Sequence, residues 1–483
     1  MHHPFSVTGF SQAGGYRHER GQLSEPSPHG WVPSTPTGRN NVGQQRRTST
    51  DTPSPHYRLL GIGAGPANLS LAALLHEEPT IPHLFLDKKQ HFTWHDEQLL
   101  AGATLQVSIF KDLVSLSNPT NRFSFLSYLH AHGRMYHFLN AQFSEVPRAE
   151  FRNYLQWAAD TNEDVVFGEE VKEVDFDGMF RVRTNRRTLS AENIAIGVGT
   201  VPKVPDFVEP HLGPDHFHVS QYLRHCDQLA GRKVAVVGGG QSGAEAFLDL
   251  VNRRGPAAPE QVAWVSRRRN YFPIDDSTFT NEFFMPHYSD YFFRLPAPVR
   301  EQVSTSHLLA SDGISESTLK AIYQKLYHLQ FIDENRRGFG LFPNRTVLGV
   351  DGANGRGWEL MIGHNDEPDQ TQSLTVDAVV WATGFRSAPK GFLAPLRGRW
   401  ETENGEFKVD EDFAAVWDGP PDRSIFVQNA VRGQRGLPDV NLSLNAWRAQ
   451  RIVDRLHGRA GMESAVSFVD WSAKAGSDSP WSM

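Results

Sequence analysis

The sequence predicts an α/β protein built from two Rossmann-like dinucleotide-binding domains with a small helical region beside them. Three observations carry that prediction. A glycine loop, GIGAGPANLSLAALL at 61–75, follows the short apolar strand HYRLL. A second, VVGGGQSGAEAF at 236–247, follows KVA. After each loop comes an apolar strand closing on glycine and threonine: IAIGVGTVPKVP at 194–205 and LTVDAVVWATGFRS at 374–387. Strand, glycine turn and helix together hold a pyrophosphate. Glycines admit the phosphates close to the backbone, and the helix N-terminus offers free N–H groups to the anion.

Residues 1–56 carry SEPSPHGWVPSTPTGRNN and RRTSTDTPSPH and read as a disordered tail. They have too few aliphatic side chains to offset the entropy of ordering, and no apolar core of a secretory signal. Residues 57–225 form the first part of the first dinucleotide domain. Gly61, Gly63 and Gly65 make its loop, but Asn68 stands where the third glycine of GxGxxG falls when counted from Gly63. A helix is expected over 68–77 and a strand over 83–89, with Asp87 where a βαβ unit places a carboxylate for ribose hydroxyls.

Residues 226–373 read as an inserted second domain. Its glycine pattern is complete, Gly238-x-Gly240-x-x-Gly243, with Gln241 and Ser242 inside it. The next strand, QVAWVS, ends in Arg267, Arg268 and Arg269 instead of a carboxylate. Arginines suit the 2′-phosphate of NADPH; the plainer reading is a solvated basic turn. Residues 374–470 are expected to return to the first domain, with Thr383 and Gly384 closing the returning strand, and to add the helical substrate region. Residues 471–483 read as a second, shorter flexible tail.

Composition narrows the function. The 483 residues carry a net charge of −7, without the basic field that nucleic acid demands. No apolar run approaches the roughly 20 residues of a membrane span, so the default expectation is a cytoplasmic protein. Two nucleotide loops imply one cofactor that stays bound and another that delivers hydride to it. A flavin with NADPH leaves a disulfide reductase, a simple reductase or a monooxygenase. The single cysteine, Cys226, removes the first and also excludes cysteine-ligated metal.

From residue 57 to 470 the chain resembles the flavin-dependent N-hydroxylating monooxygenases of siderophore biosynthesis. The matching stretches are GAGPANLSLAAL, HFTWHDEQLL, LQVSIFKDLVSLSNPTNRFSFLSYL, GGGQSGAE, DDSTFTNEFF, ATGFRS and NLSLNAWRAQRI. SDGISESTLKAIYQKLYH and WVSRRRNYF are most similar to the lysine N6-hydroxylases of aerobactin synthesis. The resemblance implies FAD and NADPH as cofactors, a C4a-hydroperoxyflavin attacked by a neutral amine, and a homotetramer. It implies that Trp94, His95 and Gln106 lie beside the flavin and that Arg267 grips the 2′-phosphate. It places Gln106 and Asn281 at the reacting centre, and Lys111, Asn281 and Ser443 on the substrate, Lys111 on its carboxylate.

Each of these residues also has a plainer reading. Lys111 reads as a surface lysine or a partner of Asp112, Asn281 as a turn residue and Ser443 as a helix-face hydroxyl. The Trp94–His95 pair reads as core packing and Gln106 as a strand-edge residue. Where ornithine hydroxylases have Asn-Tyr-Ser, this chain has Ser311-Asp312-Gly313-Ile314. Asp312 either meets an extra amino group of the substrate or caps the helix starting near Ser315. The expected reaction is hydroxylation of the terminal amine of L-lysine. The alternatives are a diamine (putrescine or cadaverine), then L-ornithine, and a flavin reductase or NADPH oxidase that needs no amine. GPDHFHVSQY at 213–222 also echoes a linker of Baeyer–Villiger and sulfur oxygenases.

Overall fold

The computed structural model describes residues 56–105, 107–333, 337–352, 357–461 and 467–471. The expectations for residues 1–55 and 472–483, and for Gln106, lie outside the described residues. His56, assigned to the tail, already belongs to the first strand.

The chain builds two parallel-centred sheets. In the first, β1 (His56–Ile62), β2 (His83–Asp87) and β3 (Val165–Phe167) lie parallel in the order β3-β2-β1. The antiparallel meander β4 (Val171–Asp177), β5 (Met179–Thr184) and β6 (Thr188–Ile196) continues it, with β6 parallel to β1. The strand β7 (Thr200–Pro202) then leaves this sheet, and β8 (His216–His218) enters the second. There β9 (Lys233–Val237), β10 (Gln261–Val265) and β11 (Gly338–Phe342) all run parallel. An antiparallel sheet of β12 (Arg345–Gly352), β13 (Trp358–His364) and β14 (Thr371–Val376) packs behind. β15 (Ala378–Trp381) lies between β9 and β8, and β16 (Phe385–Ser387) pairs antiparallel with β7. A small hairpin, β17 (Thr402–Glu403) and β18 (Glu406–Phe407), precedes β19 (Ile425–Val427), which completes the first sheet beside β6.

One expectation is corrected here. LTVDAVVWATGFRS does not return to the first sheet. It breaks at Asp377, whose carboxylate accepts the Lys233 N–H at 2.8 Å, into β14 and then β15 of the second sheet. β8 belongs to that sheet as well, so the sheet draws strands from either side of 226–373. The returning strand is β19. A short, fully apolar run looks the same in either parallel sheet, because both bury their central strands on two faces. A second correction concerns Trp471. It was assigned to the flexible tail, but it is packed, edge-on to Tyr288 at 4.9 Å.

The altered glycine loop has a physical explanation. In the second loop a Cβ on Gly243 would lie 2.4 Å from the Gly238 carbonyl oxygen, so only glycine fits. In the first loop the equivalent position, Asn68, is fully buried, and the small residue stands across from it. A Cβ on Gly197 would lie 2.6 Å from the Asn68 Cγ. The Asn68 amide donates to the carbonyls of Ile62, Gly63 and Ala195, and its oxygen accepts from Gln428. The glycine has changed sides, and the space gained is filled with hydrogen bonds.

Gly197→Ala is therefore expected to lower stability by about 1–3 kcal/mol, the range for overpacking a filled site. In an Asn68→Ala background the same change should cost much less. A double-mutant cycle by denaturant unfolding checks this; additive effects would show that the two positions are not coupled.

Candidate active site

The first loop opens at the N-terminus of the Pro66–Leu75 helix, whose first residue is a proline and whose end has no side-chain cap. Gly63 adopts φ +90°, and a Cβ there would strike the Gly197 carbonyl at 2.5 Å. Gly65 is the opposite case: an added Cβ meets nothing within 4 Å. The free N–H groups thus open on a cradle that a phosphate fits. Gly61 accommodates the Phe85 ring. Asp87 is buried, one carboxylate oxygen accepting from Ala64 N at 2.9 Å and the other from Lys89 N at 2.9 Å. It braces the loop from the end of its strand. Asn68 supports the loop from behind.

The second loop is built likewise. Gly238, at φ +145°, lies against the Ala382 carbonyl, and Gly240 opens the Gln241–Asn252 helix. Gln241 turns away from the loop, its Oε1 accepting from Ser315 N at 2.8 Å and its Nε2 donating to Glu245 at 2.9 Å. Ser242 stays half-buried in the helix's first turn. The three arginines separate in role. Arg268 donates to the carbonyls of Gly239 and Asp312, and Arg269 pairs with Asp366. Arg267 is exposed, and among the described residues its guanidinium has no partner; only its carbonyl is held, by Asn365.

A largely buried ion pair joins the elements beside the first sheet to the second loop's helix. Arg148, from the Arg148–Thr161 helix beside the first sheet, meets Glu245 of the second loop's helix at 2.7 and 3.0 Å. The same guanidinium reaches the carbonyls of Gln98 and Thr104. Beside it His95 sits in a left-handed conformation, φ 54°, its Nδ1 3.0 Å from Gln98 Oε1 and its ring edge-on to Trp94. Burial lowers its pKa, which favours the uncharged ring. Phe385 stands edge-on to both His95 and His218. Burial holds His218 at about 4, and its Nε2 is 3.0 Å from the Gly384 carbonyl. Thr383 and Gly384 thus occupy the turn where β15 leaves the second sheet for the β7/β16 ribbon, with the Thr383 hydroxyl on the Lys203 carbonyl.

Of the substrate candidates, Lys111 is the one that meets the aromatic turn at Phe284. Its ammonium lies 5.6 Å from the centre of the Phe284 ring, and burial lowers its pKa. Among the described residues it makes no ion pair. Asp112, the partner expected in the plainer reading, is spent elsewhere: it accepts from Val114 N, Ser115 N, Ser115 Oγ and Phe125 N. Phe284 ends the 3₁₀ turn Thr280–Phe284, which also carries Asn281, and packs on Ala310 and Leu437. The Asn281 amide turns back on its own loop, donating to the Asp276 carbonyl at 3.0 Å. Ser443 is buried, its hydroxyl donating to Asn441 Oδ1 at 2.8 Å. Asp312 is held by other partners. Its carbonyl approaches Gly240 and its carboxylate pairs with Arg432, while Ser315 begins the next helix without a side-chain cap.

Residues 55–387 match the family of L-lysine 6-monooxygenases and L-ornithine 5-monooxygenases. The chain belongs to this family. It is a monooxygenase, and the reading as a simple reductase falls. It is 38% identical to the L-lysine N6-monooxygenase of Escherichia coli over 85% of this chain and 97% of that one. A putrescine N-hydroxylase of Shewanella oneidensis is 29% identical over 85% of this chain and 83% of its own length. Among solved structures, the FAD-bound cadaverine monooxygenase of Erwinia amylovora superposes with a TM-score of 0.81 at 27% identity. That match covers 87% of this chain and 99% of that one. An ornithine N-hydroxylase of Kutzneria, solved with reduced FAD, NADP⁺ and L-ornithine, gives 0.76 at 28% identity, over 84% and 99%. No helix among the described residues of this monooxygenase is long and apolar enough to cross a membrane.

Sequence reasoning missed Phe284, His218 and the Arg148–Glu245 bridge. Glu245 sits in the quoted loop motif, but nothing local announces a partner 97 positions away. Glu245→Gln removes its charge and leaves Arg148 buried without a counter-ion. Denaturant unfolding should show a loss of about 3 kcal/mol, the lower end for a broken buried pair because Arg148 keeps some contact with water. A loss below about 1 kcal/mol would mean that other contacts hold the sheets together.

Proposed function

We propose that this monooxygenase uses FAD, NADPH and O₂ to hydroxylate the terminal side-chain nitrogen of L-lysine for hydroxamate siderophore assembly. The observation that carries the choice of substrate is Lys111, a half-buried cation beside the Phe284 ring with no carboxylate on it among the described residues. An amino acid brings that carboxylate. A diamine would bring a second cation instead.

Reduced FAD supplies the activated oxygen; the residues of the chain bind, orient and exclude water. The cradle at Gly63 and Gly65, with Asp87, would hold the flavin nucleotide, with Trp94 and His95 on the side of its ring; the expectation for Gln106 there comes from the family resemblance alone. The Gly238–Gly243 turn takes NADPH, with Arg267 on the 2′-phosphate. Lys111 holds the substrate by its carboxylate end, with Asn281 and Ser443 contributing amide and hydroxyl groups. The opposite end must arrive as a neutral amine, since an ammonium has no lone pair to attack oxygen. An ordinary alkylamine titrates near 10.4, and a desolvating pocket shifts it towards the neutral form.

The superposition on a cadaverine monooxygenase favours a second reading, the same chemistry on a diamine. Product formed per NADPH oxidised, with lysine, ornithine, cadaverine and putrescine in parallel, separates the two. Hydroxylamine from lysine is the expected result. Product from a diamine with lysine inert would overturn it.

Lys111→Met should raise KM for lysine about 10- to 100-fold, the worth of a charge-assisted hydrogen bond, with little change for NADPH. Because burial lowers the Lys111 pKa, its charge is lost at a lower pH than an ordinary lysine's. The wild-type KM for lysine should therefore rise as pH climbs through that lowered value, and the variant's profile should be flat. Arg267→Ala should raise KM for NADPH by a similar factor and leave NADH unaffected; equal effects on both would remove Arg267 from the phosphate site.

A further inference from the structure

The element carrying Asn281 and Phe284 is a 3₁₀ turn of five residues, Thr280–Phe284. So short a turn does not fix its own geometry; what packs against it does. Its last three residues face three different neighbours. Phe284 meets Lys111, with Ala310 and Leu437 beside it. Phe283 stacks on the His307 ring at 4.2 Å and lies 5.5 Å from the Trp471 ring. The carboxylate of Glu282 accepts the hydroxyl of Ser467. Residues 467–471 therefore run along the outside of this turn, opposite Lys111.

Trp471 is the anchor of that segment. Its indole is edge-on to Tyr288 at 4.9 Å and stacked near Tyr291 at 6.2 Å, both in the helix Pro286–Arg294 that follows the turn. Its buried indole N–H has no partner among the described residues, so ring packing alone holds it. One side chain thus braces both the turn and the helix leaving it.

We propose that Trp471 is a positioning residue for the amine substrate. By packing on Phe283 and Tyr288 it fixes the Thr280–Phe284 turn, and so sets Phe284 against Lys111. It touches neither substrate nor cofactor. The inference rests on the reading of Lys111 as a substrate-binding cation.

The test uses the full-length, FAD-loaded enzyme with Trp471→Ala and Trp471→Phe. KM for lysine, KM for NADPH and hydroxylamine formed per NADPH are measured for each. Trp471→Ala should raise KM for lysine about tenfold and waste more NADPH, with KM for NADPH within about twofold of wild type. Trp471→Phe should restore most of the loss, because a ring still fills the site. An unchanged KM for lysine, or a parallel rise for lysine and NADPH, would overturn the proposal. If Trp471→Ala fails to fold, Trp471→Leu, which keeps bulk without a ring, takes its place under the same criteria. If wild type turns over a diamine and not lysine, the substrate reading has failed. The same split, measured on that diamine, then decides the role of Trp471 separately.

Discussion

Much of this structure depends on one buried amide. Asn68 ties the end of β1, the end of β6 and the chain leaving β19 into one point directly behind the first glycine loop. A buried amide left without partners would be costly, so all its bonds must form together or the loop must open. Their geometry aims the Pro66–Leu75 helix and sets the distance between β1 and β6. The phosphate cradle at Gly65 inherits its shape from that network.

A second constraint orders the charges. Arg435 is fully buried, its guanidinium over the rings of Phe293, Phe413 and Trp447 and bonded to Asp290; burial pulls its pKa down to about 10. Arg448 is paired with Asp439 nearby. These arginines fasten the helix Asn445–Leu456 to the helix Pro286–Arg294 and to the segment around Asp439. Paired and ring-covered cations in a core add less to stability than apolar packing would, but they tolerate few alternative arrangements. Rigidity of the helix that follows Phe284 is the consequence.

The sequence showed the parts whose signals are local. Both glycine loops, the helices after them and Asp87 at its strand end are readable because turn, cap and strand lie within a few residues of one another. Lys111 was legible only through family resemblance, and Arg267 also through its place after the strand QVAWVS; the structure adds that Asp112 is occupied by backbone donors and that the other two arginines are bound. What stayed hidden was pairing at long range. β15 and β19 are both short apolar runs, and no local signal states which sheet each joins. Neither reading of Asp312 named its partner Arg432, for the same reason: it lies 120 positions on.

The position of β19 bears on how the chain is made. β6 pairs with β5 along its first half and with β19 along its second, so that second half has no neighbour on this side until residues 425–427 have been synthesised. Gln428, which completes the Asn68 network, arrives with them. A ribosome will have released nearly nine-tenths of the chain before the first nucleotide site can close, and an open apolar strand edge invites pairing with other chains in the meantime. Truncation shortly before Ile425 would therefore leave a product prone to aggregation, although both glycine loops would be present in it.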